Sequence, residues 1–347
     1  EDLQLFYDDA MLFPNRDLIF YDIEAAANDV TVKRLSVLSA LMNNEKPIVV
    51  ASISALLSCT APRMVFEKLG FEFKVGEPAD MGKIEHSLSD MGYVREDMVE
   101  GKGQFSVRGD IIDFFPVYSN YPYRVEICFD EVDSIRPLDP SSQRSMDKFE
   151  HVPVMPASEM PMSAADTVKL AEKLRSYTDT EDDVVRTNLY KDIDKLENGL
   201  KLYSIDKYIP LIYDKPPCLF DYIGADNIVY FVEPSRISES ELSSSALFGE
   251  TVTAFMEKGS IPNLGDNAAW SADYGAVLKK IRENGLVGIS ALSRSCPDYK
   301  AKHQLSLTVK AQAAFHGSTE FFRDMIKQYK NDGYGVTVLA GTDIKAK

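Results

Sequence analysis

The sequence predicts an α/β protein in which a parallel-sheet domain is interrupted by a small inserted antiparallel α+β domain. Three observations carry this reading. Two short apolar runs, Ile48-Val49-Val50-Ala51 and Asn227 to Val232, have the composition of strands buried in a parallel sheet. Helix-periodic stretches surround them, which is the layering of α/β folds. From Gly92 onward the apolar period changes from helical to alternating, as an antiparallel sheet with one wet face requires.

Taken in order, a helix is expected from about Val30 to Met42, with Val32, Leu35, Leu38 and Leu41 on one stripe. The strand Ile48 to Ala51 follows, and Phe71 to Val75 reads as another strand. Asp80 has the chemistry of an N-cap, and Met81, Ile84, Leu88 and Met91 form the stripe of a helix ending at Gly92. Gln104 to Arg108 and Ile111 to Phe115 alternate on either side of a Gly109-Asp110 turn. In the next run Tyr123, Val125, Ile127 and Phe129 are expected on the core face, with Arg124 and Glu126 on the wet face. Val132 to Leu138 is a further strand, and His151 to Met160, with Pro153 and Pro156, reads as a return linker. Helices are expected at about Ala164 to Tyr177, Asp182 to Asn198 and Ser235 to Lys258, and the stretch to Asn284 is poorly patterned. The helix Thr319 to Lys330, capped by Gly333, leads into a strand at Gly335 to Ala340. The domain boundaries drawn from this pass are 1–80 and 159–347 for the two parts of the parallel-sheet domain and 81–158 for the insert.

The 347 residues carry 38 Lys and Arg against 54 Asp and Glu, a formal charge of −16. Nucleic-acid surfaces need a basic face because phosphate contacts dominate affinity. A link to DNA is therefore expected to run through another protein or through further chain. The first residues, Glu1-Asp2 without Met, read as the start of an excised piece. No apolar run reaches the roughly 20 residues that span a bilayer, and no signal pattern opens the chain. The four cysteines, Cys59, Cys128, Cys218 and Cys296, are far apart and read as core thiols of a cytoplasmic protein.

Three features imitate a nucleotide-hydrolysing site. Ile127-Cys128-Phe129-Asp130-Glu131 resembles an apolar strand ending in Asp-Glu. That chemistry needs a phosphate loop, and no Gly-x-x-x-x-Gly-Lys-Ser/Thr exists here. Asn227-Ile-Val-Tyr-Phe-Val-Glu233-Pro234 has the right strand, but Val232 sits where a Mg²⁺-binding Asp belongs, and Val cannot coordinate a hard cation. Gly101-Lys102-Gly103 reads as a loop. His86, His151, His303 and His316 have neither metal-ligand spacing nor a nucleophile close in sequence. The expectation is no catalytic residue, no metal and no cofactor in this chain.

Met91-Gly-Tyr-Val-Arg-Glu-Asp-Met-Val99, Gly103-Gln-Phe-Ser-Val-Arg-Gly-Asp-Ile-Ile-Asp-Phe-Phe-Pro116 and Tyr123-Arg-Val-Glu-Ile-Cys-Phe-Asp-Glu-Val-Asp-Ser-Ile-Arg136, running on to Gln143-Arg144, resemble the UvrB-homology region of two bacterial repair families. These are the excinuclease B subunits and the transcription-repair coupling factors. Leu12-Phe-Pro-Asn-Arg-Asp-Leu-Ile-Phe-Tyr21, Leu219-Phe-Asp-Tyr222 and Glu233-Pro-Ser-Arg236 are similar to the coupling-factor family, with an excinuclease B fragment as the alternative. The resemblance implies a degenerate RecA-like domain that has lost its ATPase, with an inserted domain that recruits the repair subunit UvrA. It also implies that ATP and Mg²⁺, RNA polymerase and DNA are handled by C-terminal domains of the longer family proteins. The insert is implied to be held against the protein's own C-terminal region until activation. The UvrA contact is implied at Arg108, Arg124 and Glu126, with Phe129, Arg136 and Arg144 as candidates by proximity. Ser106 departs from the family pattern, since the excinuclease subunits carry an Arg there.

Overall fold

A parallel pair of strands opens the fold: β1 (Ala10–Phe13) lies beside β2 (Ile48–Ala51), with Ala10 opposite Ile48 and Phe13 opposite Ala51. The crossover between them is α1 (Asn28–Met42), whose Leu35, Val37 and Leu38 enter a core with Phe13, Phe66, Leu219 and Tyr222. The computed structural model describes residues 2–338, apart from 19, 21–27, 140–147, 201, 214, 225–226, 266–267, 293–295, 297 and 310–316. Residues 1–298 form one unit and residues 299–347 another. After β2, α2 (Ile53–Leu57) starts at Ser52, whose side chain accepts from the Ala55 N–H, and α3 (Arg63–Leu69) follows.

The insert begins with β3 (Phe71–Lys74), which pairs antiparallel with β9 (His151–Val154), so the two strands close its base. The stretch His151 to Val154, expected as linker, is therefore a strand. Between them lie α4 (Met81–Asp90) and a five-stranded sheet ordered β4 (Val94–Arg95), β5 (Gln104–Arg108), β6 (Ile111–Phe114), β7 (Tyr123–Cys128) and β8 (Glu131–Pro137). Asp80 caps α4, its Oδ1 accepting from the Lys83 N–H at 3.1 Å. Gly92, φ +89°, turns the chain out of α4 so closely past Ser158 that a Cβ would lie 2.6 Å from the Ser158 Cβ. Leu88, Met91, Tyr93, Phe105, Ile112, Phe114, Val125 and Ile135 make the insert's own core. Val117 belongs to the core around β1, and Ala157 packs against both cores.

Next come α5 (Ala164–Arg175) and α6 (Asp183–Glu197), capped by Ser163 and Asp182 and packed through Leu170, Leu174, Leu189 and Ile193. A short α7 (Ile209–Ile212) leads to a second parallel pair, β10 (Val229–Val232) with β11 (Leu286–Ile289). Between these strands run α8 (Pro234–Glu257) and α9 (Tyr274–Asn284), the latter capped by Asp273 in a stretch whose pattern predicted no helix. Phe20, Ile209, Val252, Ile261 and Trp270 form a further core, with the Phe20 and Trp270 rings edge to face at 6.1 Å. The unit 299–347 contains α10 (Thr319–Asn331), capped by Ser318, with Gly333 at φ +85° beyond it.

The parallel strands differ from expectation in burial. Leu12 and Val50 are register partners and both are exposed, as are Tyr230, Val232, Val287 and Ile289 on the second pair. Among the described residues each parallel sheet has two strands, and an apolar strand covered on one side keeps half its side chains in water. No strand forms at 335–338, and the rest of that expected strand lies outside the described residues. Cys59 and Cys218, 159 positions apart, are partners in a β-bridge, whereas Cys128 is exposed rather than a core thiol.

Candidate functional site

The wet face of the insert's sheet gathers the charged residues. Gly109 adopts φ +60° and closes a two-residue hairpin that sets Arg108 opposite Ile111 and Ser106 opposite Asp113. The next pairings carry the register across the sheet: Asp113 faces Arg124, and Arg124 faces Arg136. One row therefore reads Ser106, Asp113, Arg124, Arg136, and the adjacent row reads Arg108, Ile111, Glu126, Ser134. Alternation places Phe105, Ile112, Val125 and Ile135 on the opposite face, in the core. Arg108, Arg124, Glu126 and Arg136, singled out from the sequence, thus share one surface.

These groups are not free donors awaiting a ligand. Arg124 makes a two-pronged ion pair, with Nε and Nη2 each donating to Asp113 at 2.7 Å. Those bonds, opposed by burial and aided by the charges of Asp113 and Glu126, push the guanidinium above its ordinary pKa. Arg108 is exposed and Nη2 donates to the Asp97 carbonyl. Glu126 accepts from Ser134 Oγ at 2.8 Å and lies 3.8 Å from Arg136 Nη2. Charges alternate along the surface as Asp113, Arg124, Glu126, Arg136, so each cation is oriented by a neighbouring carboxylate. A guanidinium has five N–H donors and Arg124 spends two on Asp113, leaving a planar edge for an incoming acceptor. Two buried polar atoms on this surface, Ser106 Oγ and Arg136 Nε, have no hydrogen-bond partner.

Phe129 departs from expectation. The alternation of β7 stops at Cys128, and Phe129 and Asp130 form the hairpin turn to β8 with φ +51° and +61°. Two consecutive left-handed residues are the signature of a type I′ turn, which normally takes Asn-Gly. The Phe129 ring consequently projects from the tip, 98% exposed, instead of entering the core. Arg144 lies outside the described residues. The partner of Arg124, Asp113, was missed; the two-residue turn at Gly109-Asp110 fixes its register and was the signal that could have found it.

The look-alike motifs resolve geometrically. Asp130 is in this antiparallel hairpin turn, its carbonyl accepting from the Ala79 N–H at 2.7 Å, and Glu131 starts β8. Val232 ends a parallel strand but is exposed, and Glu233 after it takes φ +56° with its carboxylate accepting from the Ala291 N–H. Among the described residues no group of three His, Cys, Asp or Glu side chains could hold a metal ion, and no helix is long and apolar enough to cross a membrane.

Residues 71–160 match the family described as the UvrB interaction domain, the same stretch that β3 and β9 close at its base. Beyond it, almost the whole chain is similar to transcription-repair-coupling factors. It is 27% identical over 338 residues to the one from Bacillus subtilis (strain 168), covering 95% of this chain and 28% of that protein. Over 343 residues it is 25% identical to that of Staphylococcus aureus (strain MRSA252) and 24% to that of Staphylococcus haemolyticus, covering 96% of this chain and 29% of each. The chain spans under a third of the length of these relatives. The similarity to coupling factors thus runs on both sides of the stretch that matches the UvrB interaction domain.

Proposed function

We propose that this chain is the UvrA-recruiting part of a transcription-repair coupling factor, and that the wet face of its UvrB interaction domain is the docking surface. One observation carries the reading: Arg108, Arg124, Glu126 and Arg136, from strands β5, β7 and β8, stand in two adjacent rows of one sheet face. Planar arginines oriented by carboxylates suit the recognition of acidic and amide groups on a protein partner. The exposed Phe129 ring at the edge of that face adds an apolar contact, and Arg144 extends the candidate set in sequence. The chain's net charge of −16 favours a protein partner over DNA.

The same proposal holds that this chain hydrolyses no ATP and binds no Mg²⁺, because Val232 occupies the metal-ligand position and the sequence has no phosphate loop. RNA polymerase, DNA and ATP are handled in longer relatives by further domains, whose C-terminal region covers the docking face at rest. The chain works in the cytoplasm, where its four cysteines stay reduced. Calorimetric titration of UvrA into the full chain tests the surface. An Arg108→Ala variant should bind about 10-fold or more weakly with its fold unchanged; wild-type affinity in Arg108→Ala, Arg136→Ala would remove the assignment.

A further inference from the structure

The segment leaving the insert carries a carboxylate that is not in water. Glu159 is buried, and its two oxygens accept from Arg34 Nε at 2.8 and 2.9 Å, with Arg16 Nε 3.6 Å away. Arg34 is fully buried; Nη1 donates to the Pro14 carbonyl at 2.9 Å, Nη2 donates to Ser58 Oγ at 2.8 Å, and the guanidinium stacks 3.9 Å from the Phe13 ring centre. Arg16 Nη1 donates to both Asp206 oxygens at 2.9 and 3.1 Å. Two arginines thus converge beyond the C-terminal ends of β1 and β2, the edge at which open α/β sheets take their ligands. Arg16 Nε and Nη2 are buried there without a hydrogen-bond partner. Buried donors of a charged group are rarely left unmade, so the pocket of charge has capacity for more acceptor than Glu159 supplies. The chain's look-alike motifs lie elsewhere, and the docking face does not use these residues.

We propose that Arg16 and Arg34 form a phosphate-type oxyanion site, and that Glu159 occupies it as an internal anion, so that oxyanion binding and seating of the insert's exit segment compete. Glu159 suits this role because it is the member that comes from the insert's exit segment, while Asp206 stays on the body. Its backbone is seated as well, the Glu159 carbonyl accepting from the Ala61 N–H at 3.1 Å. Filling the site with an external anion releases that segment, which is a route from the body to the freedom of the UvrB interaction domain. The inference stands apart from the UvrA reading and neither needs the other.

Inorganic phosphate is the probe, with chloride at matched ionic strength as the control because phosphate also stabilises proteins by exclusion from their surfaces. In the full chain carrying Glu159→Gln, 100 mM phosphate should raise the melting midpoint by about 3 °C more than in the wild type. The added gain should vanish in Glu159→Gln, Arg16→Met. In the wild type, phosphate should instead speed hydrogen exchange at the Ala61 amide. Equal phosphate shifts in wild type and Glu159→Gln would overturn the site. If Glu159→Gln yields no folded protein, Glu159→Asp, which keeps the charge on a shorter arm, must show the phosphate gain; its absence there overturns the proposal equally.

Discussion

Removing the Arg124 side chain leaves the Asp113 carboxylate buried without a partner. Asp113 is 6% exposed at its side chain and receives two donors from Arg124 at 2.7 Å, while Arg124 itself is 26% exposed. Breaking a fully buried ion pair by deleting one member costs roughly 3–5 kcal/mol, and an exposed pair is worth about 0–1 kcal/mol. Water reaching the Arg124 end places this pair between those limits, at about 2–3 kcal/mol for Arg124→Ala. Asp113→Ala in the same background removes the stranded charge, so the two changes should couple by about 2 kcal/mol in a double-mutant cycle. The assay is native-state hydrogen exchange of the amides of β5 to β8 in urea, which reads the insert's own stability. Additive effects, or a loss below about 0.5 kcal/mol in Arg124→Ala, would refute the pairing as the organiser of this face. The consequence for function is direct: a binding loss in Arg124→Ala mixes fold and contact, whereas one in Arg108→Ala does not.

The remaining predictions concern single residues. Phe129→Gly should stabilise the hairpin by up to about 1 kcal/mol in thermal melts, because glycine takes φ +51° without strain and the exposed ring loses no packing. Asp80→Ala should speed hydrogen exchange in the first turn of α4, since the Lys83 N–H loses its acceptor. Ser106→Ala should be neutral or mildly stabilising in the same exchange assay, because its buried hydroxyl has no partner to lose. Gly92→Ala should lower the insert's melting midpoint by several degrees, since the new methyl meets the Ser158 side chain at a positive φ.

Local signals were the legible ones. The Asp80 cap with its apolar stripe, and the Gly109-Asp110 turn between alternating runs, each lie within a dozen residues and formed as read. The charged face of the sheet was legible for the same reason: period two in Tyr123 to Ile127 separates Arg124 and Glu126 from Val125 whatever the neighbours do. What escaped needed partners from afar. His151 to Val154 reads as linker because Pro153 cannot donate to a ladder, yet β3 supplies a partner strand 77 to 83 residues upstream. Leu286 to Ile289 is too short to announce itself without β10 beside it. The exposure of Val50 and Val232 was illegible because an apolar run specifies a strand but not whether a second layer covers it. Phe129 was misplaced by carrying the alternation one residue past the strand's end, where a Phe-Asp turn lacks the usual glycine signal. The bond of Arg124 to Asp113 was illegible because it exists only across the sheet.

The most direct measurement is calorimetric titration of UvrA into the full chain, comparing wild type with Arg108→Ala, Arg136→Ala at matched melting midpoints. A face that recruits UvrA predicts a loss of affinity of 10-fold or more, growing weaker still with added salt as a charged contact must. Binding that is unchanged by both substitutions and indifferent to salt would contradict the docking face.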